Sequence, residues 1–300
     1  MESIQKVEVA IIGGSFSGLS AALSLVRSLR KIIVIDSEKP CNKTTPASHN
    51  FLTHDGESPG AIHEKALSDL KKYPNFKLQL GEVTSIKKNE KGYLLKGNGF
   101  SQVITDKIIF ATGLKDILPE IPGFAESWGK SVIHCPYCHG YEYVGNKTGL
   151  WMNEPGILEH SKFLNHWSKE LTVYTNGPVQ FSEEEQSLLE NDGINIVTDL
   201  VDALIHKEGQ ISSIKLKSGN EYQIEALYTR LPMIQHSKLP EEIGCKLLPS
   251  GHIEVSNFYE TNVPGVYAVG DMASMFRSVA NAVHSGNIAG AMLNRAMILS

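Results

Sequence analysis

The run His134-Cys135-Pro136-Tyr137-Cys138-His139-Gly140 holds the residues best suited to chemistry. Two thiols at this spacing can close a small disulfide ring and reopen it, which moves two electrons. If the pair opens a helix, the helix dipole favours the thiolate of the first cysteine. His134 and His139 flank the pair, and imidazoles gain and lose protons near neutral pH. The same spacing also suits half of a zinc site, but that needs a second ligand pair. Cys41 and Cys245 are isolated in the sequence and read as inert small residues. A pair of buried structural cysteines is the other alternative.

A second kind of chemistry starts near the N-terminus. Gly13-Gly14-Ser15-Phe16-Ser17-Gly18 follows an apolar, β-branched run. Glycines at such a turn let backbone approach a pyrophosphate, and the helix beyond offers N–H groups and partial positive charge. The usual pattern is Gly-x-Gly-x-x-Gly, so Ser15 takes the place of the middle glycine. Serine is small, and its hydroxyl can donate to phosphate. Asp36 closes the next strand, where a carboxylate can accept from a ribose diol. A glycine-rich turn that binds nothing is the plainer alternative. Ala111-Thr112-Gly113 and Gly270-Asp271 each follow a further apolar strand. Taken alone, Asp271 reads as a turn acid.

These residues need elements to position them. Val7–Ile12, Leu19–Leu29 and Ile32–Asp36 read as strand, helix, strand. Thr148–Met152, Ile157–Trp167 and Leu171–Thr175 repeat that order. Strands alternating with short helices imply parallel sheets of βαβ units. The fold class is therefore α/β, with two Rossmann-like domains. Between them, Lys77–Ile86, Tyr93–Lys96 and Gln102–Ile109 read as strands. Pro119, Pro122 and Gly123 mark a crossover. Further on, Ile214–Leu216, Tyr222–Tyr228 and the Gly265–Asp271 run read as strands, and Ser278–Met297 as a closing helix.

Three hundred residues suit about two domains of ~100–200 residues each. With 41% apolar and 20% charged residues, the composition is that of a globular protein. A formal net charge of −5 and the lack of a long Lys/Arg run argue against nucleic acid as a partner. Glycines and serines interrupt the apolar N-terminal stretch, so neither a signal peptide nor a membrane span is expected. Few cysteines and no leader make the cytoplasm the default compartment.

The order of motifs resembles the low-molecular-weight thioredoxin reductase family of two-dinucleotide-binding flavoproteins. The glycine turn, Ala111-Thr112-Gly113 and Thr261-Asn262-Val263-Pro264-Gly265-Val266-Tyr267-Ala268-Val269-Gly270-Asp271 carry the likeness across essentially the whole chain. The resemblance implies FAD in a discontinuous domain built from residues 1–115 and 247–300. An NAD(P)-type domain, residues 116–246, is inserted between them and carries the dithiol. Asp271 is then expected on the ribityl chain, with Ser278 and Val279 in the turn beside the flavin ring. The resemblance further implies a homodimer. It implies as substrate a small dithiol or disulfide, or a thioredoxin-like protein. By the same analogy Cys138 faces the flavin and Cys135 exchanges with substrate.

The chain departs from that pattern twice. Where the family has Asp after the second cysteine, this sequence has His139. This resembles a subset of flavoenzymes that oxidise dithiol metabolites. His139, or alternatively Glu142, then takes the acid/base role. Cys-Pro-Tyr-Cys also resembles the glutaredoxin active site, but that fold is small and carries the motif near its start. The second departure is Met152-Asn153-Glu154-Pro155-Gly156-Ile157, where a nicotinamide site shows Gly-x-Gly-x-x-Ala. One glycine remains, Pro155 lacks an N–H, and Glu154 repels a pyrophosphate. This argues against ordinary NAD(P)H binding. The expected function is thiol–disulfide exchange coupled to FAD. The alternatives are a dithiol oxidase that uses oxygen and a flavin-binding redox sensor with little turnover.

Overall fold

The computed structural model describes residues 4–90, 92–168 and 170–300. In chain order the first elements are β1 (Gln5–Ile12), α1 (Phe16–Arg27), β2 (Ile32–Asp36), α2 (Pro59–Leu70), β3 (Leu78–Leu80), β4 (Glu82–Asn89), β5 (Gly92–Asn98), β6 (Val103–Phe110) and β7 (Leu114–Asp116). Next come α3 (Phe124–Ser127), β8 (Val132–Ile133), α4 (Pro136–His139), β9 (Thr148–Trp151), α5 (Ile157–Leu164), β10 (Leu171–Tyr174), α6 (Glu183–Asn191) and β11 (Asn195–Val197). Then follow β12 (Val201–Lys207), β13 (Gln210–Leu216), β14 (Glu221–Gln223), β15 (Ala226–Thr229), β16 (Met233–Gln235), α7 (Leu239–Glu242), β17 (Val266–Ala268) and α8 (Val279–Leu299).

The chain packs into two units. The first holds residues 1–43, 57–115 and 233–300, and the second holds 44–56 and 116–232. The return to the first unit thus falls at Pro232–Met233, ahead of the 246/247 boundary expected from the sequence. The segment Thr44–Gly56 packs with the second unit, although its sequence neighbours on both sides belong to the first.

In the first unit β3, β2, β1 and β6 run parallel in that order, and β17 joins β6 in parallel. β5 and β4 extend the sheet antiparallel from the other part of β6. Strands buried on both faces read as continuous apolar runs, because side chains alternate between two cores. Val9, Ile11, Ile32 and Val34 enter the core shared with α1 and α8. Ala10, Ile12, Ile33 and Ile35 enter the opposite core. The second unit repeats the plan with a parallel sheet ordered β11-β10-β9-β15-β8 and an antiparallel β12-β13-β14 sheet.

Two expected strands are each divided. Lys77–Ile86 breaks at Gly81, whose φ of 155° interrupts β3 and β4. Tyr222–Tyr228 splits into β14 and β15, which belong to different sheets. The closing helix matches the expected span closely, and it lies against α1 through glycines. A methyl group at Gly286 sits 3.0 Å from the backbone N of Ala21 and closer still to the Ser17 carbonyl. Forcing extra volume into such a contact costs about 1–3 kcal/mol. Gly286→Ala is therefore expected to lower stability by roughly that amount. Urea unfolding followed by circular dichroism checks this, and an unchanged midpoint would contradict the close-contact account.

Candidate functional site

The sequence-predicted cradle gathers at the carboxyl ends of β1, β6 and β17, where α/β sheets bind ligands. Gly13 has φ 108°, and a methyl group there meets the Ala111 carbonyl. Gly18 abuts the Gly13 carbonyl just as tightly. Gly270 has φ 74°, and a methyl group on it sits 2.6 Å from the Ser17 hydroxyl. Its N–H donates to Ser285 at 3.0 Å. Gly14 faces Asp36, with a methyl group there 2.8 Å from the Asp36 Cβ. Three motifs far apart in sequence thus meet in close contact.

Ser15 is the N-cap of α1, and its side chain makes no capping hydrogen bond. The first turn of α1 carries no acidic residue. Phe16 and Ser17 open the helix and are buried. Gly113 takes φ 68°, and the Thr112 hydroxyl lies 3.6 Å from the Met272 sulfur. Asp271 has one carboxylate oxygen 3.4 Å from Arg277 Nε and 3.9 Å from the Cys41 sulfur. Ser278 caps α8 by accepting the Asn281 N–H at 3.1 Å, and Val279 is the first helical residue. These residues fit a dinucleotide. Gly13, Gly14, Gly18 and Gly270 leave no room for a Cβ, Asp36 stands beside Gly14, and the start of α1 can meet phosphate.

In the second unit Cys135 and Cys138 are joined as a disulfide, with Cα atoms 5.3 Å apart. Cys135 is the N-cap of α4, and its carbonyl accepts the N–H groups of Cys138 and His139, each at 3.2 Å. Pro136 suits the first helical position, where an N–H has no partner to give to. Tyr137 is exposed and packs on Phe163 and Trp167, at ring-centroid distances of 5.4 and 5.7 Å. His139 is half-buried, and that burial pushes its imidazole below the ordinary value. The Glu142 carboxylate opposes the shift, and the His49 ring adds to it. His134 is exposed, with its ring 5.9 Å from that of Trp128. Among the described residues no group of three or more His, Cys, Asp or Glu is arranged to hold a metal. Cys245 is buried beside Thr261, and burial pushes its thiol up, while Cys41 is exposed.

The loop after β9 shows the opposite of the α1 turn. Gly156, with φ 89°, is the N-cap of α5. Its N–H donates to the Glu185 carboxylate at 3.1 Å, and Leu158 also donates its N–H to that carboxylate. The same carboxylate accepts from the Ser182 backbone at 3.2 Å and from its hydroxyl at 3.1 Å. These hydrogen bonds, led by that of Ser182, hold Glu185 below the usual carboxylate range. Asn153 ties the loop to the chain after β10 through Pro178 and Gln180, each at 2.8 Å. The protein's own acid therefore sits where a Rossmann turn receives a phosphate.

The pyridine nucleotide-disulphide oxidoreductase family model matches residues 7–149 and 167–286. The chain belongs to this family. Its members are FAD-dependent flavoproteins, and this chain is an oxidoreductase of the thioredoxin reductase-like kind. It is 30% identical to thioredoxin reductase tcpT of Claviceps purpurea, over 99% of this chain and 96% of that one. Thioredoxin reductase sirT of Leptosphaeria maculans is 29% identical over 96% of this chain and 93% of that one. An oxidoreductase from Agrobacterium tumefaciens, known from its crystal structure, superposes with a TM-score of 0.91 at 33% identity. That match covers 98% of this chain and 99% of the other. Among the described residues no helix is long and apolar enough to cross a membrane.

Sequence reasoning in this family member missed His49 and Asp55. His49 Nε2 lies 3.4 Å from Glu142, and Nδ1 lies 3.8 Å from Asp55. Only the Ser48-His49 pair in a polar loop hinted at them. Glu185 was visible solely as part of an acidic run.

The depressed His139 imidazole has a consequence for stability. Unfolded histidine titrates near 6.5. Below that pH the unfolded chain binds more protons than the folded one, so stability is full above 6.5 and is lost as pH falls through the folded value. The denaturant midpoint is expected to drop between pH 7 and pH 5. His139→Gln should flatten that slope, and an identical slope in the variant would count against His139 as a source.

Proposed function

We propose that the chain moves two electrons between FAD and a small dithiol or disulfide through Cys135 and Cys138, without NAD(P)H. The observation that carries this is the Cys135–Cys138 disulfide with a half-buried imidazole one residue beyond it. Gly13, Gly14, Ser15, Gly18, Asp36, Ala111, Thr112, Gly113, Gly270 and Asp271 hold the cofactor in this reading, with Ser278 and Val279 at the start of the last helix. When bound, FAD supplies a two-electron acceptor.

The residues of the chain divide the remaining work. A neutral His139 at pH 7 takes the proton of an entering thiol, so that the thiolate attacks. Cys135 receives that attack and Cys138 leaves as thiolate. Tyr137, Phe163 and Trp167 form an apolar shelf beside the pair, which suits a small substrate with an apolar ring. The direction favoured is dithiol oxidation, because Glu185 already occupies the phosphate position of the second unit. The net reaction then turns a dithiol and oxygen into a disulfide and hydrogen peroxide. A thioredoxin-like protein is the other substrate this chemistry admits.

Anaerobic mixing of the FAD-loaded protein with dithiothreitol is expected to bleach the flavin, whereas NADPH and NADH leave it oxidised. Cys138→Ser should keep FAD and stop the bleaching. Rapid bleaching by NADPH would refute the nucleotide-free reading, and bleaching of the Cys138→Ser protein at the wild-type rate would refute the role of the pair.

A further inference from the structure

We infer that His49 is a positioning residue for His139, exchanging its proton with solvent through a cluster that includes Glu142 and Asp55. This rests on the reading of Cys135 and Cys138 as a working dithiol.

The geometry begins with the Thr44–Gly56 segment, which packs with the dithiol unit. The Thr44 hydroxyl donates to the Trp128 carbonyl at 3.0 Å. Asn50 and Thr53 both take left-handed φ values, 57° and 75°. For a β-branched threonine this conformation is strained, and such strain gathers where a loop must hold a functional group. The loop is closed by Gly56 N–H to Ser48 carbonyl at 2.9 Å and Asn50 N–H to Asp55 at 2.7 Å. That closure presents the His49 ring edge-on to the His139 ring, with centroids 6.3 Å apart at 83°.

The cluster leads outward. The side chains of His49, Glu142 and Asp55 are 22%, 37% and 70% exposed, so each step from the half-buried His139 nears water. The groups around it are known from each neighbouring element. The loop gives His49, His54 and Asp55, and α4 gives His139. The turn after α4 gives Glu142 and Tyr143, and β15 gives Tyr228, which shares the field of Glu142. His134 precedes the pair.

The chemistry needs such an outlet. A donor thiol loses its proton to His139, and its thiolate attacks Cys135. The Cys135–Cys138 bond breaks, the donor–Cys135 bond forms, and Cys138 leaves as thiolate. The second donor thiol, deprotonated in turn, attacks the donor sulfur and frees Cys135. One dithiol becomes a disulfide, the protein disulfide becomes two thiolates, and two protons leave by way of His139. His139 handles both only if its ring is cleared between them.

The test mixes FAD-loaded protein anaerobically with dithiothreitol from pH 5.5 to 9. Iodoacetamide quenching and mass spectrometry follow thiol formation at Cys135 and Cys138, and flavin absorbance is read in parallel. His49→Gln is expected to slow thiol formation roughly tenfold near pH 7, less than loss of a direct general base, and to change the shape of the pH profile. Asp55→Asn keeps an acceptor for the Asn50 N–H. It should move the acid limb to lower pH, because losing a carboxylate disfavours protonated imidazole. Glu142→Gln should move it the same way. A His49→Gln profile parallel to wild type, at any absolute rate, overturns the inference. If His49→Gln fails to fold, an unmoved limb in Asp55→Asn overturns it. Wild-type thiols that form without flavin bleaching speak against the dithiol–flavin reading instead. A wild-type pair inert to dithiothreitol sinks both.

Discussion

Backbone meets backbone at the carboxyl ends of β1, β6 and β17, and that contact sets the terms for the first unit. Gly13 lies on the Ala111 carbonyl, Gly18 on the Gly13 carbonyl and Gly270 on Ser17. A Cβ at Gly13 would push the first turn off the end of β6, one at Gly18 would open that turn, and one at Gly270 would part segments from the two ends of the chain. The approach is affordable because β1, β6 and β17 are parallel neighbours and finish together. The same closeness continues down α1, where Gly286 and Gly290 of α8 rest on the backbone of Ser17 and Ala21. The cradle and the helix packing are thus one continuous constraint.

The two Rossmann turns show how one fold serves opposite ends. Each places a glycine N-cap or small residue before a helix that follows a parallel strand. At α1 the Ser15 side chain makes no capping hydrogen bond. At α5 the Glu185 carboxylate covers it, and that carboxylate also closes the capping box of α6. A helix start attracts negative charge whether that charge belongs to a ligand or to the chain itself. In the dithiol unit the charge that meets the α5 start comes from the chain itself.

Much of this was legible in sequence. The runs at Val9–Ile12 and Ile32–Ile35 are continuous and apolar because both faces of the sheet are buried, so they read as strands. The glycine turn, Ala111-Thr112-Gly113, Gly270-Asp271 and the Cys-x-x-Cys-His motif were also visible as local patterns. What failed was non-local or backbone-specific. Gly81 divides an alternating stretch by its φ, which composition does not reveal. Tyr222–Tyr228 alternates smoothly, yet its halves join different sheets. His49 and Asp55 reach the dithiol turn only through tertiary packing. Glu185 looked like one acid among three until the fold brought Gly156 to it.

The tether on Glu185 has a kinetic side. Glu185 lies 29 residues along the chain from Gly156 in the same folded unit, so its carboxylate does not have to be collected from solution. Any free phosphate ester must outcompete that resident anion before it can touch Gly156. On the proposed nucleotide-free reading, occupancy by this resident carboxylate is the barrier that a cellular nucleotide meets at Gly156.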